Sequence, residues 1–432
     1  MGKLQSFLGA AASNLDFSQC QRSSDKQARL AKGGPRRALV VIASCCAAML
    51  ALTSCGGGGS VGGGGGTPPP PPAATCTVLY TSSPSATQYL PSLLVDNDNV
   101  YVSEVSAGNV SIKAIPKVGG TVKILASGPN LGDSTEGLLQ DFTIDEFDLY
   151  WVVNILLPAP GISQVYQASQ VYSVPLGGGS ASLIASEPEV NSSAGAVDDA
   201  PGITPYGVGG SVYWTTGGTI YSSDIAGTET VFSFLGPSPY NPDMIPMATA
   251  GTLVVLNSGD IVTRVLGSGP PYSETGYYKI SPNPPNSTAE FLTPFIGGLQ
   301  GNDVGQGDLI TDGVDVYGLA NAALGTAEIG PSVFKISGAS ATVLAQANGT
   351  ARNVATDDTY LYYAGVGGGV VSAYAIVGNT VTSSQCVTSD GTSFAIGSVG
   401  VHGLYSDEGY IYVTGSGGSG ALPFNVLKMT KP

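Results

Sequence analysis

Few residues of this chain could perform acid–base or metal chemistry. The 432 residues include one histidine, His402. A zinc site built from several histidines is therefore excluded, and a Ser-His-Asp triad would have to use His402 as its base. The sequence has no C-x-x-C pair, no P-loop and no Walker lysine. It predicts no catalytic residue, metal ligand set or cofactor, although Asp and Glu alone could hold a metal in a hydrolase or lyase.

Acidic residues recur at a fixed distance before tyrosine. Asp96-Asn-Asp-Asn99 begins like a calcium-binding EF-hand loop, but Tyr101 stands where that loop needs glycine, and no acid closes it. The same spacing occurs at four further acids, Asp145, Asp312, Asp357 and Asp407. One acid per repeat at one turn position favours carboxylates that accept hydrogen bonds within β-turns over calcium ligands.

Three polar residues, Gln140, Arg352 and His402, each lie five positions before one of these acids. Asp308 lies one residue further along in another repeat. The corresponding position elsewhere is held by Pro91, Thr204 and Gly307. If every repeat contributes one strand to a ring, Gln140, Arg352 and His402 converge on one mouth and form a candidate ligand site together with Asp308. The alternative is that they are ordinary loop residues.

The elements that would position these residues form a repeat. Its first half is the acidic turn followed by a tyrosine-bearing strand. Its second half is a strand, a Gly turn and another strand, and the copy at 112–127 matches the copy at 171–186 without a gap. Seven such units follow one another. Four strands in roughly 40–50 residues are typical of a propeller blade, which predicts an all-β fold, a β-propeller of about seven four-stranded blades.

The last unit indicates how the ring closes. After 424–430 the fourth strand of this unit is missing, whereas residues 76–81 form a strand that precedes the first unit. We therefore predict that 76–81, the N-terminal strand of the mature domain, complete the final sheet beside 424–430. This pairing would remove an exposed sheet edge.

The units resemble those of secreted bacterial propellers, including TolB-like and NHL-like repeat proteins. The resemblance lies in the Asp-x-x-x-aliphatic-Tyr half and in the Val/Ile-Pro-x-x-Gly-Gly half, and it covers most of 90–431. It implies the fold and no particular activity, since propellers host unrelated functions. A degenerate fourth unit and insertions around 154–170, 187–203 and 265–276 depart from it, which leaves the blade count open by one.

An apolar run, residues 38–54, follows Arg36-Arg37 and ends in Leu52-Thr-Ser-Cys55. The run is shorter than the roughly 20 apolar residues of a membrane span and has the features of a signal peptide. Its end resembles the bacterial lipobox, which implies cleavage before Cys55 and a membrane anchor of lipid, including palmitate, on Cys55. Gly56, where an Asp would favour the inner membrane, favours the outer membrane. The alternatives are an ordinary signal peptide or an N-terminal anchor.

The chain is thus predicted to have three parts. Residues 1–54 are a lipoprotein signal peptide with an extended n-region, unless the true start codon lies further downstream. Residues 55–75 are the lipidated Cys and a Gly/Pro-rich tether, and residues 76–432 are the propeller. The mature domain keeps Cys76 and Cys386, and an even pair in an exported domain predicts a disulfide. Two free thiols are the alternative.

The charge is split along the chain. Seven of the 16 Lys and Arg residues, but only two of the 31 acids, precede Cys55. The strongly acidic remainder disfavours nucleic acid and anionic headgroups as partners. The prediction is a monomeric propeller on the cell envelope that acts as a binding or scaffold module for an envelope protein. The alternatives are a surface glycan-binding protein, suggested by 21 tyrosines, and a metal-dependent propeller hydrolase or lyase.

Overall fold

The computed structural model describes part of the second of the two units into which the chain divides, Pro70–Pro432. No helix long and apolar enough to cross a membrane occurs among the described residues. The described residues are 74–431 without the segments 84–85, 89–92, 107–108, 128–136, 159–164, 187–189, 193–202, 206–211, 217–218, 225–226, 234–248, 267–275, 284–285, 295–308, 321–331, 347–350, 358, 366–369, 377–379, 390–394, 397–402 and 417–423. The predicted signal peptide, Cys55 and the tether up to residue 73 lie outside them.

All regular elements of the described part are strands. They are β1 Ala74–Thr81, β2 Ala86–Gln88, β3 Leu93–Val95, β4 Asn99–Ser106, β5 Asn109–Pro116, β6 Lys123–Ser127, β7 Gly137–Ile144, β8 Asp148–Pro158, β9 Val165–Pro175, β10 Ser182–Ser186, β11 Val190–Ser192, β12 Ile203–Pro205, β13 Val212–Thr216, β14 Thr219–Asp224, β15 Gly227–Ser233, β16 Thr249–Val255, β17 Ile261–Leu266, β18 Gly276–Ser281, β19 Thr288–Pro294, β20 Ile310–Thr311, β21 Val316–Ala320, β22 Ser332–Ser337, β23 Ser340–Gln346, β24 Ala351–Thr356, β25 Tyr360–Gly365, β26 Val370–Ala375, β27 Val381–Thr388, β28 Ala395–Ile396, β29 Leu404–Ser406, β30 Tyr410–Ser416 and β31 Phe424–Thr430.

These strands form seven antiparallel blades, which confirms the predicted propeller. From the innermost to the outermost strand the blades are β3-β4-β5-β6, β7-β8-β9-β10, β12-β13-β14-β15, β16-β17-β18-β19, β20-β21-β22-β23, β24-β25-β26-β27 and β29-β30-β31-β1. We number them blades 1 to 7 in this order. The departure predicted around 154–170 coincides with a long hairpin in blade 2, whose strands β8 and β9 have 11 residues each.

The N-terminal strand closes the ring as predicted. β1 runs antiparallel to β31, with Cys76 opposite Met429 and Thr81 opposite Asn425. On its other edge β1 pairs in parallel with β27 of blade 6. Beside this pairing the structure joins Cys76 to Cys386 in a disulfide across 310 residues of sequence. Blade 7 is therefore tied to blade 6 both by backbone hydrogen bonds and by a covalent bond.

Among the described residues the hydrophobic core consists of seven clusters, one between each pair of neighbouring blades. For example, Tyr101 and Ile112 of blade 1 pack with Phe142 and Trp151 of blade 2. A single sheet of this width cannot bury both of its apolar faces, so each blade depends on two neighbours. The tyrosine that recurs in the second strand of a blade belongs to these inter-blade clusters.

The two faces of the ring differ in their connections. On one face, first strands turn into second strands and third into fourth, and no connection between these strands exceeds six residues. We call this the short-turn face. The opposite, long-connection face carries the remaining links, of which 234–248 and 295–309 have 15 residues each. All three predicted insertions belong to this second face.

Two glycine pairs explain tight turns on the short-turn face. Gly119 and Gly120 follow β5 with φ angles of 80° and 124°, and Gly178 and Gly179 follow β9 with 87° and 153°. Residues with a Cβ rarely adopt such angles. The equivalent turns of blades 1 and 2 therefore require the Gly-Gly pairs that the ungapped repeat match aligns.

Loss of the Cys76–Cys386 bond is expected to loosen the closing strand first. For the variant Cys76→Ser/Cys386→Ser we expect a free energy of unfolding lower by about 2–5 kcal/mol, because the cross-link restricts the unfolded chain. Hydrogen exchange should rise mainly in β1 and β27. The reduced wild-type protein is the matched control and should behave like the variant. Equal unfolding midpoints with and without the bond would contradict a stabilising role.

Candidate functional site: the axial cavity

The innermost strands of all seven blades surround one cavity of about 350 Å³ on the ring axis. Such a volume accommodates one small ligand. The lining residues are Leu93 and Leu94 of blade 1, Asp141 to Thr143 of blade 2, Ile203 and Thr204 of blade 3, Leu253 and Val254 of blade 4, Leu309 to Thr311 of blade 5, Val354 to Thr356 of blade 6 and Gly403 to Ser406 of blade 7.

Asp141 is the one charged side chain among these described lining residues. Its Oδ1 accepts a hydrogen bond of 2.9 Å from the backbone N–H of Phe142. Its Oδ2 accepts one of 3.2 Å from the backbone N–H of Ile203. Because Ile203 belongs to the innermost strand of blade 3, the carboxylate joins two blades at the cavity wall. It satisfies a donor at the inner edge of a sheet, where no further strand follows.

Hydroxyl groups on the wall are also engaged in the fold. Ser406 Oγ donates to the carbonyl of Thr356 at 2.8 Å, which links blade 7 to blade 6. Thr311 Oγ1 donates to the carbonyl of Asp315 at 2.7 Å and accepts from the N–H of Gly313 at 2.9 Å. The wall therefore combines apolar side chains with polar groups whose positions are fixed. A surface of this kind suits recognition by shape and a few hydrogen bonds.

Two of the predicted site residues occupy matching backbone positions. The register of β7 against β8 shifts between Leu139 and Asp141, so Gln140 lies at a β-bulge. The register of β24 against β25 shifts in the same way between Ala351 and Asn353, around Arg352. Only the backbone of Gln140 and Arg352 is described. His402 and Asp308 lie outside the described residues, each next to a lining residue, Gly403 and Leu309. The convergence of the four side chains stays a prediction.

Thr204 does not match these positions. The sequence spacing aligned it with Gln140, but Thr204 pairs with Tyr213 as Thr143 pairs with Tyr150, three residues nearer the turn. The positions were counted back from the acid of each turn. Because the third unit lacks this acid, the sequence alignment of Thr204 was wrong by three residues. Asp141 was missed for a different reason. It follows Gln140 directly and occupies the position that Asp308 has before Asp312, so the repeat itself contained the signal.

The recurrent acids shape turns, as predicted. In each case one carboxylate oxygen accepts from the backbone N–H groups two and three residues ahead. The other accepts from the tyrosine hydroxyl five residues ahead, at 2.5 to 2.9 Å. The pairs are Asp96–Tyr101, Asp145–Tyr150, Asp312–Tyr317, Asp357–Tyr362 and Asp407–Tyr412. Both oxygens thus hold backbone and side chain in place. The described residues include no group of three or more metal ligands.

Burial and the partner carboxylate raise the pKa of four of these tyrosines, which stay hydrogen-bond donors at neutral pH. They are Tyr101, Tyr150, Tyr362 and Tyr412.

The residue that follows the third strand covers the Asp–Tyr pair of the preceding blade. In blade 2 it is Leu176, which packs on the cluster of Tyr101. In blade 6 it is Ile376, which packs on the cluster of Tyr317. In blade 1 it is Lys117, whose Nζ lies 2.7 Å from Asp407 and 5.1 Å from the ring centre of Tyr412.

Lys431 of blade 7 bonds to Asp357 and lies over Tyr362 in the same way. A lysine therefore contacts an acid at both contacts of blade 7 with its neighbours. The equivalent residues between blades 1 and 2 and between blades 5 and 6 are apolar.

The chain matches no family model and no curated protein. The WD40 domain of Toxoplasma gondii coronin is similar in structure, at 10% identity and a TM-score of 0.47, over 84% of this chain and 88% of that one. The β-propeller domain of the trilobed protease from Pyrococcus furiosus has 10% identity and a TM-score of 0.46, over 80% and 94%. The polysaccharide lyase Uly1 has 11% and 0.47, over 79% and 89%. The seven blades of the structure define the class of protein, a β-propeller, and no activity follows from these likenesses.

The ion pair at Asp407 predicts acid sensitivity. Burial alone would raise the pKa of Asp407, but hydrogen bonds from Lys117, from the backbone of Gly409 and Tyr410 and from Tyr412 lower it from 3.8 to about 2. Because the folded pKa lies below the unfolded one, the stabilisation is complete above pH 3.8 and is lost as the pH falls towards about 2.

Asp407→Asn should lower the thermal midpoint at pH 7 and flatten its decline between pH 5 and pH 2. Circular dichroism at a series of pH values measures both. Glu408→Gln, at the exposed neighbour, is the control and should keep the wild-type decline. Parallel declines for Asp407→Asn and the wild type would refute the assignment.

Removing the Asp141 carboxylate should destabilise the contact between blades 2 and 3. Asp141→Ala leaves the N–H of Ile203 without this acceptor, and we expect a loss of about 1–3 kcal/mol in free energy of unfolding. Asp141→Asn keeps an acceptor oxygen and should lose less than half as much. Equilibrium unfolding in urea compares the two. If both variants lose the same amount, the Ile203 hydrogen bond is not the cause.

Proposed function

We propose that this protein is a lipid-anchored β-propeller of the bacterial cell envelope that works outside the cytoplasm as a binding or scaffold module. The observation that carries the proposal is the sequence Arg36-Arg37, an apolar run, Leu52-Thr-Ser-Cys55 and a tether that leads directly into β1. Lipid on Cys55 would hold the ring at a bilayer. The ring closure at Cys76 and Cys386 supports export, because disulfides persist in oxidising compartments.

The axial cavity supports a binding role. Its described polar groups accept and donate hydrogen bonds that fix neighbouring blades, as Asp141 and Ser406 do. Such groups can orient a ligand without giving or taking a proton. A scaffold needs a rigid ring with a shaped surface, and seven clusters between blades supply the rigidity.

An envelope protein fits as partner better than a glycan does. Sugar recognition commonly uses exposed aromatic faces, but the tyrosines of the Asp–Tyr turns are at most 1% exposed. They are Tyr101, Tyr150, Tyr317, Tyr362 and Tyr412. These five belong to the 21 tyrosines whose total suggested glycan binding from the sequence, and their role is packing between blades. The strongly acidic domain also favours a partner with a basic surface.

The anchor can be tested with one substitution. Cys55→Ser should abolish incorporation of radiolabelled palmitate and release the protein from the membrane fraction, because the thiol that carries the lipid is lost. Cys46→Ser, in the same segment, is the matched control and should be labelled like the wild type. Labelling of Cys55→Ser at the wild-type level would refute lipidation at this residue.

The scaffold role is tested by cross-linking in cells with the full-length tagged protein. A recurrent envelope protein cross-linked to one face of the ring, and bound again by the purified partners, supports the proposal. A ring that captures nothing reproducible but is stabilised against heat by a metal or a glycan would replace it with one of the alternative functions.

A further inference from the structure

The path of the chain into the ring fixes the side from which the tether arrives. β1 is antiparallel to β31, so Ala74 lies near the end of β31 and Thr81 near its start. β31 is a third strand and ends on the short-turn face. The parallel pairing of Ala74 with Cys386 in β27 holds the start of β1 in place. A tether from Cys55 therefore reaches the ring at the rim of the short-turn face.

The expected span of the tether is comparable with the thickness of the ring. From its sequence, 68–72 is expected to be a stiff spacer of about 3.1 Å per residue, and the Gly-rich part before it to have a root-mean-square span of about 5–6 Å times the square root of its residue number. β1 has eight residues and rises about 3.3 Å with each, or roughly 26 Å in all. Turning the long-connection face to the bilayer would require the tether to run back along the whole outer strand.

The short-turn face exposes apolar side chains at the tips of its turns. Val118 is 93% exposed, Val314 72% and Phe147 59%. They lie in turns of blades 1, 5 and 2, all on this face of the ring. Exposed acids, Asp98 and Glu146 among them, lie in the same turns. Such a surface suits lipid headgroups without net charge and is repelled by anionic ones.

We propose that the short-turn face lies on the bilayer that holds the anchor and contacts zwitterionic lipid headgroups through Val118, Phe147 and Val314. This inference rests on the proposed lipidation of Cys55. The long-connection face and the end of the axial cavity on that side then point away from the membrane. A partner protein approaches the ring from there.

The test uses full-length lipidated protein in phosphatidylcholine vesicles that contain a headgroup spin label. One fluorophore is attached at Glu146→Cys on the short-turn face, or at Ser127→Cys at the end of β6 on the opposite face. Both positions are exposed. We expect severalfold stronger quenching at 146 than at 127. Equal quenching, or stronger quenching at 127, with the protein bound to vesicles would overturn the orientation.

Substitutions separate the contact from the tether. In the 146-labelled protein, Val118→Ser/Phe147→Ser/Val314→Ser should reduce the quenching at least twofold while the protein still floats with vesicles. The matched control replaces with Ser the residues Ile124, Leu183 and Val381, which are exposed on outer strands at the rim of this face and not at turn tips, and should reduce the quenching less than twofold. Unchanged quenching in the first variant would refute the apolar contact.

Lipid charge supplies an independent readout. Replacing a third of the phosphatidylcholine by phosphatidylglycerol should weaken the quenching at 146 at low salt, and added salt should restore it as the repulsion is screened. Stronger quenching on anionic vesicles would contradict the proposed headgroup preference. Protein that does not float with any vesicle lacks the anchor, and both the proposed function and this inference then fail. If the protein floats with vesicles but the quenching does not differ between positions 146 and 127, only this inference is refuted.

Discussion

The pairing of β1 with β31 is the constraint on which the rest of the ring depends. Every blade buries its two apolar faces against neighbours, so six blades without the seventh would expose two faces and two sheet edges. The seventh sheet has no fourth strand of its own in sequence order, and β1 supplies it. The axial cavity, the two faces and the place where the chain enters the ring all follow from that closure.

The contacts of blade 7 with its two neighbours differ in chemistry from those at two other pairs of blades. Between blades 1 and 2 and between blades 5 and 6, Leu176 and Ile376 cover the Asp–Tyr turn by apolar packing. Between blades 7 and 1, Lys117 pairs with Asp407, and between blades 6 and 7, Lys431 pairs with Asp357. A charged pair is directional and selects its partner more strictly than apolar contact does. It can therefore specify that blade 7 meets blades 1 and 6 at the place where β1 closes the ring.

Much of the fold was predictable because its signals are local and repeated. Asp357 and Tyr362 stand five residues apart for a geometric reason, since one carboxylate must reach both the turn and the tyrosine hydroxyl. The closing strand was predictable from the missing strand of the last unit. Blade 4 forms without the Asp–Tyr pair because its apolar pattern suffices, with Ile261 and Ile280 fully buried.

The site was less predictable, because it depends on which side chains meet across blades. Asp141 reaches Ile203 over 62 residues of sequence, and no spacing within one unit reveals such a contact. The displaced position of Thr204 shows the same limit at a unit whose marker residue is absent. Spacing places a residue along its strand, whereas the cavity depends on how seven strands come together.

The closing strand also sets the order of events as the chain is made and folds. β1 precedes every other strand, yet its partner β31 is the last one, and Thr81 bonds to Asn425 across 344 residues. Six blades can pair from contacts near in sequence, whereas the ring can shut only after the whole domain has emerged. Contacts of such long range form slowly. Until then β1 exposes a free edge at the very start of the domain, and such an edge can pair with strands of other chains.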